Sequence, residues 1–216
     1  MLDLLIPATL ETLYMVFLST LFTICFGLPL GIVLVVTSSG HIFERQALNK
    51  GLSVVVNVTR SLPFIILMIF IIPFTRLIAG TSIGTNAAIV PLVFAAIPFF
   101  ARIVESALHE VDGGVIEAAI AMGASPLDII VRVLIPEALP SLILGTTITI
   151  INLLGYSAMA GTIGGGGIGD LAIRYGYHRF QTDVMFMTIV VLVILVQGIQ
   201  VTGNLVAQNV LKHRRR

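Results

Sequence analysis

Charge is what this chain has least of. Asp, Glu, Lys and Arg make up 11% of its 216 residues, against about 25% in an average soluble domain. Hydrophobic residues make up 57%. Too few polar side chains are present to cover a water-facing surface, so the composition predicts an integral membrane protein. A net charge of +1 supplies no field to gather nucleic acid, and no basic patch interleaved with aromatics takes its place. The single cysteine, Cys25, excludes an internal disulfide and, inside an apolar run, reads as a small buried hydrophobe. The only lysines are Lys50 and Lys212, and neither follows a glycine. A phosphate-cradling Walker A loop, which needs Gly-Lys-Ser/Thr, is therefore absent. The apolar runs, the third counted from about Ala87 to Ala101 before it extends helically toward Leu108, hold no Asp or Glu, which argues against a proton-coupled carrier. His41, His109, His178 and His213 are scattered with no second ligand at metal spacing, and Glu105, Glu110 and Asp112 read as a solvated loop face. No metal, no cofactor and no catalytic constellation is expected. The first residues, Met-Leu-Asp-Leu-Leu-Ile-Pro, lack the basic region of a cleaved signal peptide, so the first span is expected to stay in the mature protein.

What is there is long apolar runs. Five transmembrane helices are predicted, at about 12–38, 51–75, 87–108, 138–160 and 184–208, in a single all-α transmembrane domain covering 1–216. Pro29 is expected to kink the first span and Pro63 the second. Arg60 has two readings: a residue lining a pathway, or one snorkelling to the interface from the first third of its helix. With the C-terminus in the cytoplasm, Arg45, Lys50, Arg60, Arg102, Arg132, Lys212, Arg214, Arg215 and Arg216 lie inside and only Arg76, Arg174 and Arg179 outside. Five spans then put the N-terminus outside. The loop 102–137, with eight of the 23 charged residues, falls in the cytoplasm.

Within that loop, residues 114–123 read as a helix that is apolar on nearly every side, with Glu117 its one polar side chain. Ten residues at ~1.5 Å each reach about half-way across a hydrocarbon core. Such a helix is too short to span and too apolar for water, so it wants a groove on another protein. Gly123 suits the left-handed residue that ends a helix, Ser125-Pro126-Leu127-Asp128 starts the next one, and Pro136 is expected to bend or end it. Small Ala119, on a stripe with Ile116 and Ile120, is expected to let the backbone lie close to the partner groove. Further on, Gly161-Thr162-Ile163-Gly164-Gly165-Gly166-Gly167-Ile168-Gly169 reads either as a broken helix end bordering a cavity or as a flexible loop.

Glu117-Ala118-Ala119, three residues, Gly123, nine residues, then Val133-Leu134-Ile135-Pro136 resembles the EAA motif of binding-protein-dependent ABC importer permeases. Val133 and Ile135 stand where the family ending is Ile-x-Leu-Pro. Residues 60–64, Arg-Ser-Leu-Pro-Phe, resemble the same family, and the segment from Gly155-Tyr156-Ser157 to Tyr175-Gly176-Tyr177 is similar to its methionine branch. The resemblance implies the type I ABC importer transmembrane fold, with 114–136 as the cytoplasmic coupling segment and Glu117, Ala118, Ala119, Ile120 and Gly123 at the ATPase contact. It implies a homodimer in the cytoplasmic (inner) membrane, two copies of a separate ATP-binding subunit below, and an external substrate-binding protein delivering methionine from above. Tyr156, Ser157 and Met159 then become candidates for the translocation pathway or gate, although Met159 reads equally as packing. The alternatives are a permease for another small solute, or a stand-alone channel or facilitator.

Overall fold

The computed structural model describes residues 2–214, and among them every regular element is helical. Arg215 and Arg216 of the basic C-terminal cluster lie outside the described residues. Helix α1 (Leu2–Val36) begins ten residues before the expected span and carries Pro7 and Pro29 inside it. Near its start Thr9 and Thr12 donate to the carbonyls of Leu5 and Ala8, one turn back, while the buried hydroxyls of Ser19, Thr20 and Thr23 find no partner among the described residues. Cys25 faces outward from the bundle, not into it as expected.

The expected span 51–75 is not one kinked helix. Helix α2 (Gln46–Ser61) and α3 (Phe64–Phe70) meet at 103°. The proline ring of Pro63 disfavours helical geometry at the residue before it, and Leu62 is extended, with φ −79° and ψ 127°. Arg60 consequently sits in the last turn of α2, beside the break, and not in the first third of a span. Helix α4 (Ile72–Ala79) follows and closes on left-handed Gly80, φ 72°.

Helix α5 (Thr85–His109) lies along α1. Gly27 and Gly31 make the approach possible: a Cβ on Gly31 would stand 2.5 Å from Val104 Cβ and 2.7 Å from the Ala101 carbonyl oxygen. Their spacing is the small-xxx-small pattern by which apolar helices approach backbone to backbone. Three elements (α1, α5 and residues 182–212) are long and apolar enough to cross a membrane, and the bent α2–α3 pair makes a fourth if counted as one span. Helix α8 (Ile135–Gly161), 27 residues or about 40 Å, also has the length. Its hydropathy is diluted by Thr146, Thr147, Thr149 and Asn152, and the threonine hydroxyls all bond back to carbonyls of their own helix.

Pro136 does not end its helix. A short α7 (Pro126–Ile129) runs through a π turn (Ile130–Leu134) straight into α8. The wide turn, closed by the Ile135 N–H on the Ile130 carbonyl, accommodates the missing donor of the proline. The glycine run is no flexible loop. After α8 the chain doubles back through α9 (Gly167–Leu171) and a second π turn (Ala172–Tyr177) into α10 (Thr182–Arg214). Gly166 and Gly167 take φ 78° and 75°. That geometry turns the Gly167 and Ile168 N–H groups onto α1, where they donate to Glu11 Oε2 (2.7 Å) and Thr12 Oγ1 (2.9 Å). A Cβ on Gly161 would stand 2.2 Å from the Asp170 nitrogen, so the end of α8 crosses α9 at backbone contact. Two main cores result. One gathers Met15, Leu92, Leu153 and Leu154; the other gathers Phe100, Val104, Leu108, Ile129 and Leu134.

Candidate coupling surface and solute pathway

Residues Gly113–Ala121 form helix α6, and its two ends are built from the side chains that the sequence offers for them. The Asp112 carboxylate accepts the Gly114 N–H (2.7 Å), which satisfies one of the free donors of the first turn. At the other end Gly123 takes φ 80°, and the Ala124 N–H returns to the Ala119 carbonyl (3.0 Å). Ser125 then caps α7 by accepting the Asp128 N–H at 3.2 Å. The Ser125 hydroxyl, and after it Arg132 (3.2 Å), hold the Asp128 carboxyl below its ordinary range.

The faces of α6 differ from expectation at one position. Ala119 is 4% exposed and belongs to this chain's own core with Ile129, Leu134 and Leu108. It seats the helix on the body of the protein and is not free to meet a partner groove. Ile116 packs against the same core. The outward side carries Val115, Glu117, Ala118, Ile120 and Met122, all exposed, Met122 at 82%. Beside it a cavity of about 450 Å³ is lined by His41, His109, Glu117 and Ile120 among others. The rings of His41 and His109 meet edge to face with centroids 6.1 Å apart, so two of the histidines that look scattered in sequence are neighbours. Burial, and next the neighbouring His109, pull His41 below its ordinary value. No group of three or more metal-ligating side chains forms among the described residues.

The three pathway candidates separate. Tyr156 stacks on Phe64, with centroids 4.6 Å apart and planes 8° from parallel. It lines a cavity of about 270 Å³ with Thr59, Arg60, Leu62 and Phe99. Ser157 is buried and donates its hydroxyl to the Leu154 carbonyl (2.8 Å), facing neither cavity. Met159 is 47% exposed on α8. A second cavity, about 460 Å³, lies against α5 and α8 and is lined by Arg60, Arg102, Ser106, Glu110, Ser141 and Ile148 among others. Arg60 is common to both. Of the acids expected on a solvated loop face, Glu105 is partly buried, while Glu110 and Asp112 are exposed as expected. Glu105 pairs with Arg102 at 2.5 Å, and Glu110 accepts the Ser141 hydroxyl at 3.0 Å.

The family model described as "Binding-protein-dependent transport system inner membrane component" matches residues 27–210. A probable D-methionine transport system permease protein of Vibrio cholerae is 53% identical over 208 residues, covering 96% of this chain and 92% of its own. A methionine import system permease protein of Bacillus subtilis is 48% identical over 199 residues, covering 92% and 90%. A solved structure described as inward-facing conformations of the MetNI methionine ABC transporter superposes with a TM-score of 0.96 at 50% identity, covering 97% of each chain. An amino acid ABC transporter structure at 20% identity, TM-score 0.73, shares the fold.

Proposed function

Because the chain belongs to the binding-protein-dependent transport system inner membrane components, we propose that it is the permease half of a methionine importer driven by ATP hydrolysed on a separate chain. Two copies form the pathway about a two-fold axis. Each presents one α6 to an ATPase subunit, and an external binding protein hands methionine to the opposite end. The permease sits in the cytoplasmic membrane with five spans, N-terminus outside and C-terminus inside.

The observation that carries this reading is α6 itself. It is capped at both ends, anchored through Ala119, and bare on the side of Glu117, Ala118, Ile120 and Met122. An apolar face held rigidly outside the bundle transmits displacement to whatever it is fixed to. Through Ala119 it is fixed to the core that holds α1, α5 and the start of α8. Closure of two ATPases would draw the two α6 helices together and bias the bundle between two packings. Gly123 provides the turn that fixes the exit of α6, and Tyr156 stands beside the pathway with Met159 toward its outer end. Ser157 ties its own turn of α8 to the carbonyl of Leu154.

In cells lacking the chromosomal copy, a plasmid copy is expected to restore high-affinity methionine uptake and leave other amino acids unaffected. In the same cells, and in a Cys25→Ser background, Ser82→Cys is expected to label from outside and Asp112→Cys is not. Restored uptake of a different solute would contradict the substrate, and the reversed labelling pattern would contradict the orientation.

A further inference from the structure

Arg60 stands in the last turn of α2 beside the 103° break, and it lines both the Tyr156 cavity and the α5–α8 cavity. Among the described residues no carboxylate pairs with it. Arg60 is exposed to this open space, and a guanidinium is never deprotonated in a protein, so the cation it places there is permanent. The second cavity is bordered by a second guanidinium. Arg102 lines it, giving Nη1 to Glu105 and Nη2 to the Ser53 carbonyl (3.3 Å), while its buried Nε–H has no acceptor. Opposite in charge, Glu110 lines the same space with Ser141. One cavity thus offers the unpaired guanidinium of Arg60, a carboxylate and two serine hydroxyls.

We infer that this cavity is a binding site for the zwitterionic head of an α-amino acid in transit, with Arg60 taking the carboxylate and Glu110 the ammonium. Arg60 is placed to keep hold of the carboxylate as the solute leaves the Tyr156 cavity, because the same side chain borders both. Guanidinium recognises a carboxylate through paired, charge-assisted hydrogen bonds. The phosphate of a lipid headgroup or free phosphate presents the same chemistry, so the experiment must separate those sources. The inference rests on the amino-acid importer reading above.

The test uses the assembled transporter, permease with ATPase and binding protein, in phosphatidylcholine vesicles and in vesicles containing phosphatidylglycerol. The wild type first shows ATP-driven methionine uptake; absence of uptake contradicts the importer reading, not the site alone. Arg60→Gln is expected to lower that uptake about tenfold, as for loss of one charge-assisted contact, in both lipids, with assembly and ATP hydrolysis within about twofold of wild type. Arg60→Lys restores part of it. Occupancy is read separately from alkylation of Ile148→Cys, which lines the same cavity, in a Cys25→Ser background. Methionine slows the reaction; methioninol, which lacks the carboxylate, and inorganic phosphate do not; Arg60→Gln removes the protection. Unchanged uptake and protection in Arg60→Gln overturns the inference while leaving the importer intact. So does protection by phosphate, or a deficit confined to phosphatidylglycerol vesicles.

Discussion

Gly31 shows how much a single absent Cβ decides. Its hydrogen faces Val104 and the Ala101 carbonyl at distances where a carbon would be 2.5–2.7 Å away, and neither a β-branched side chain nor a backbone oxygen on α5 can retreat. Gly31→Val therefore has to separate α1 from α5 over the stretch that also holds Phe100 and Leu108. Overpacking of this kind typically costs ~1–3 kcal/mol. Purified Gly31→Val is expected to melt several degrees below wild type, whereas Gly51→Val, where a Cβ meets nothing within 4 Å, should leave the melting temperature close to wild type. Equal melting of all three proteins would mean that the close approach of α1 to α5 contributes little. The pattern Gly27-Leu28-Pro29-Leu30-Gly31 was open to reading from sequence; Pro29 draws attention first as a kink, and the flanking glycines are the more informative pair.

At the scale of the element, α6 separates what local chemistry announces from what it does not. Its ends were legible: Gly123 and the Ser125-Pro126-Asp128 start each act through a neighbour no more than a few residues away. Its inward face was not. Ile116, Ala119 and Ile120 are all apolar, so no polar stripe marks which side meets this chain's own core, and Ala119 turned out to be the seat. The bent α2–α3 pair is the same problem in another form, because hydropathy averages across Leu62-Pro63 and reads one span where the backbone turns by 103°. The contact of Glu11 with Gly167 joins residues 156 apart in sequence, and nothing local to either announces it. These placements separate two substitutions on the same helix. Ala119→Arg puts an unpaired charge into a packed core and is expected to lower the amount of folded permease in the membrane. Ile120→Glu, on the exposed face, should keep membrane abundance and dimer recovery at wild-type levels while the ATPase no longer co-purifies. Retention of the ATPase by Ile120→Glu would show that this face is not the coupling contact.

Over the whole molecule, membrane residence was legible from composition alone, since a chain with 11% charged residues has few stable homes outside a bilayer. Function came from spacing and from relatives at 53% and 48% identity; neither hydropathy nor charge names a solute. The fold supplies the mechanical link: α6 is seated on the core shared by α1, α5 and the start of α8, and α8 carries Tyr156 and Met159 at its far end. From α6 the chain passes into one continuous helical run, α7, the π turn and α8, which borders the cavities. Whether that run does work on a solute is decided by accumulation. In sealed vesicles containing the permease, its ATPase and external binding protein, with ATP on the α6 side, radiolabelled methionine is expected to rise well above its concentration in the donor compartment, and to stop doing so when ATP is replaced by a non-hydrolysable analogue. Methionine that merely equilibrates, at the same rate with or without ATP, would contradict the account and identify a facilitator instead.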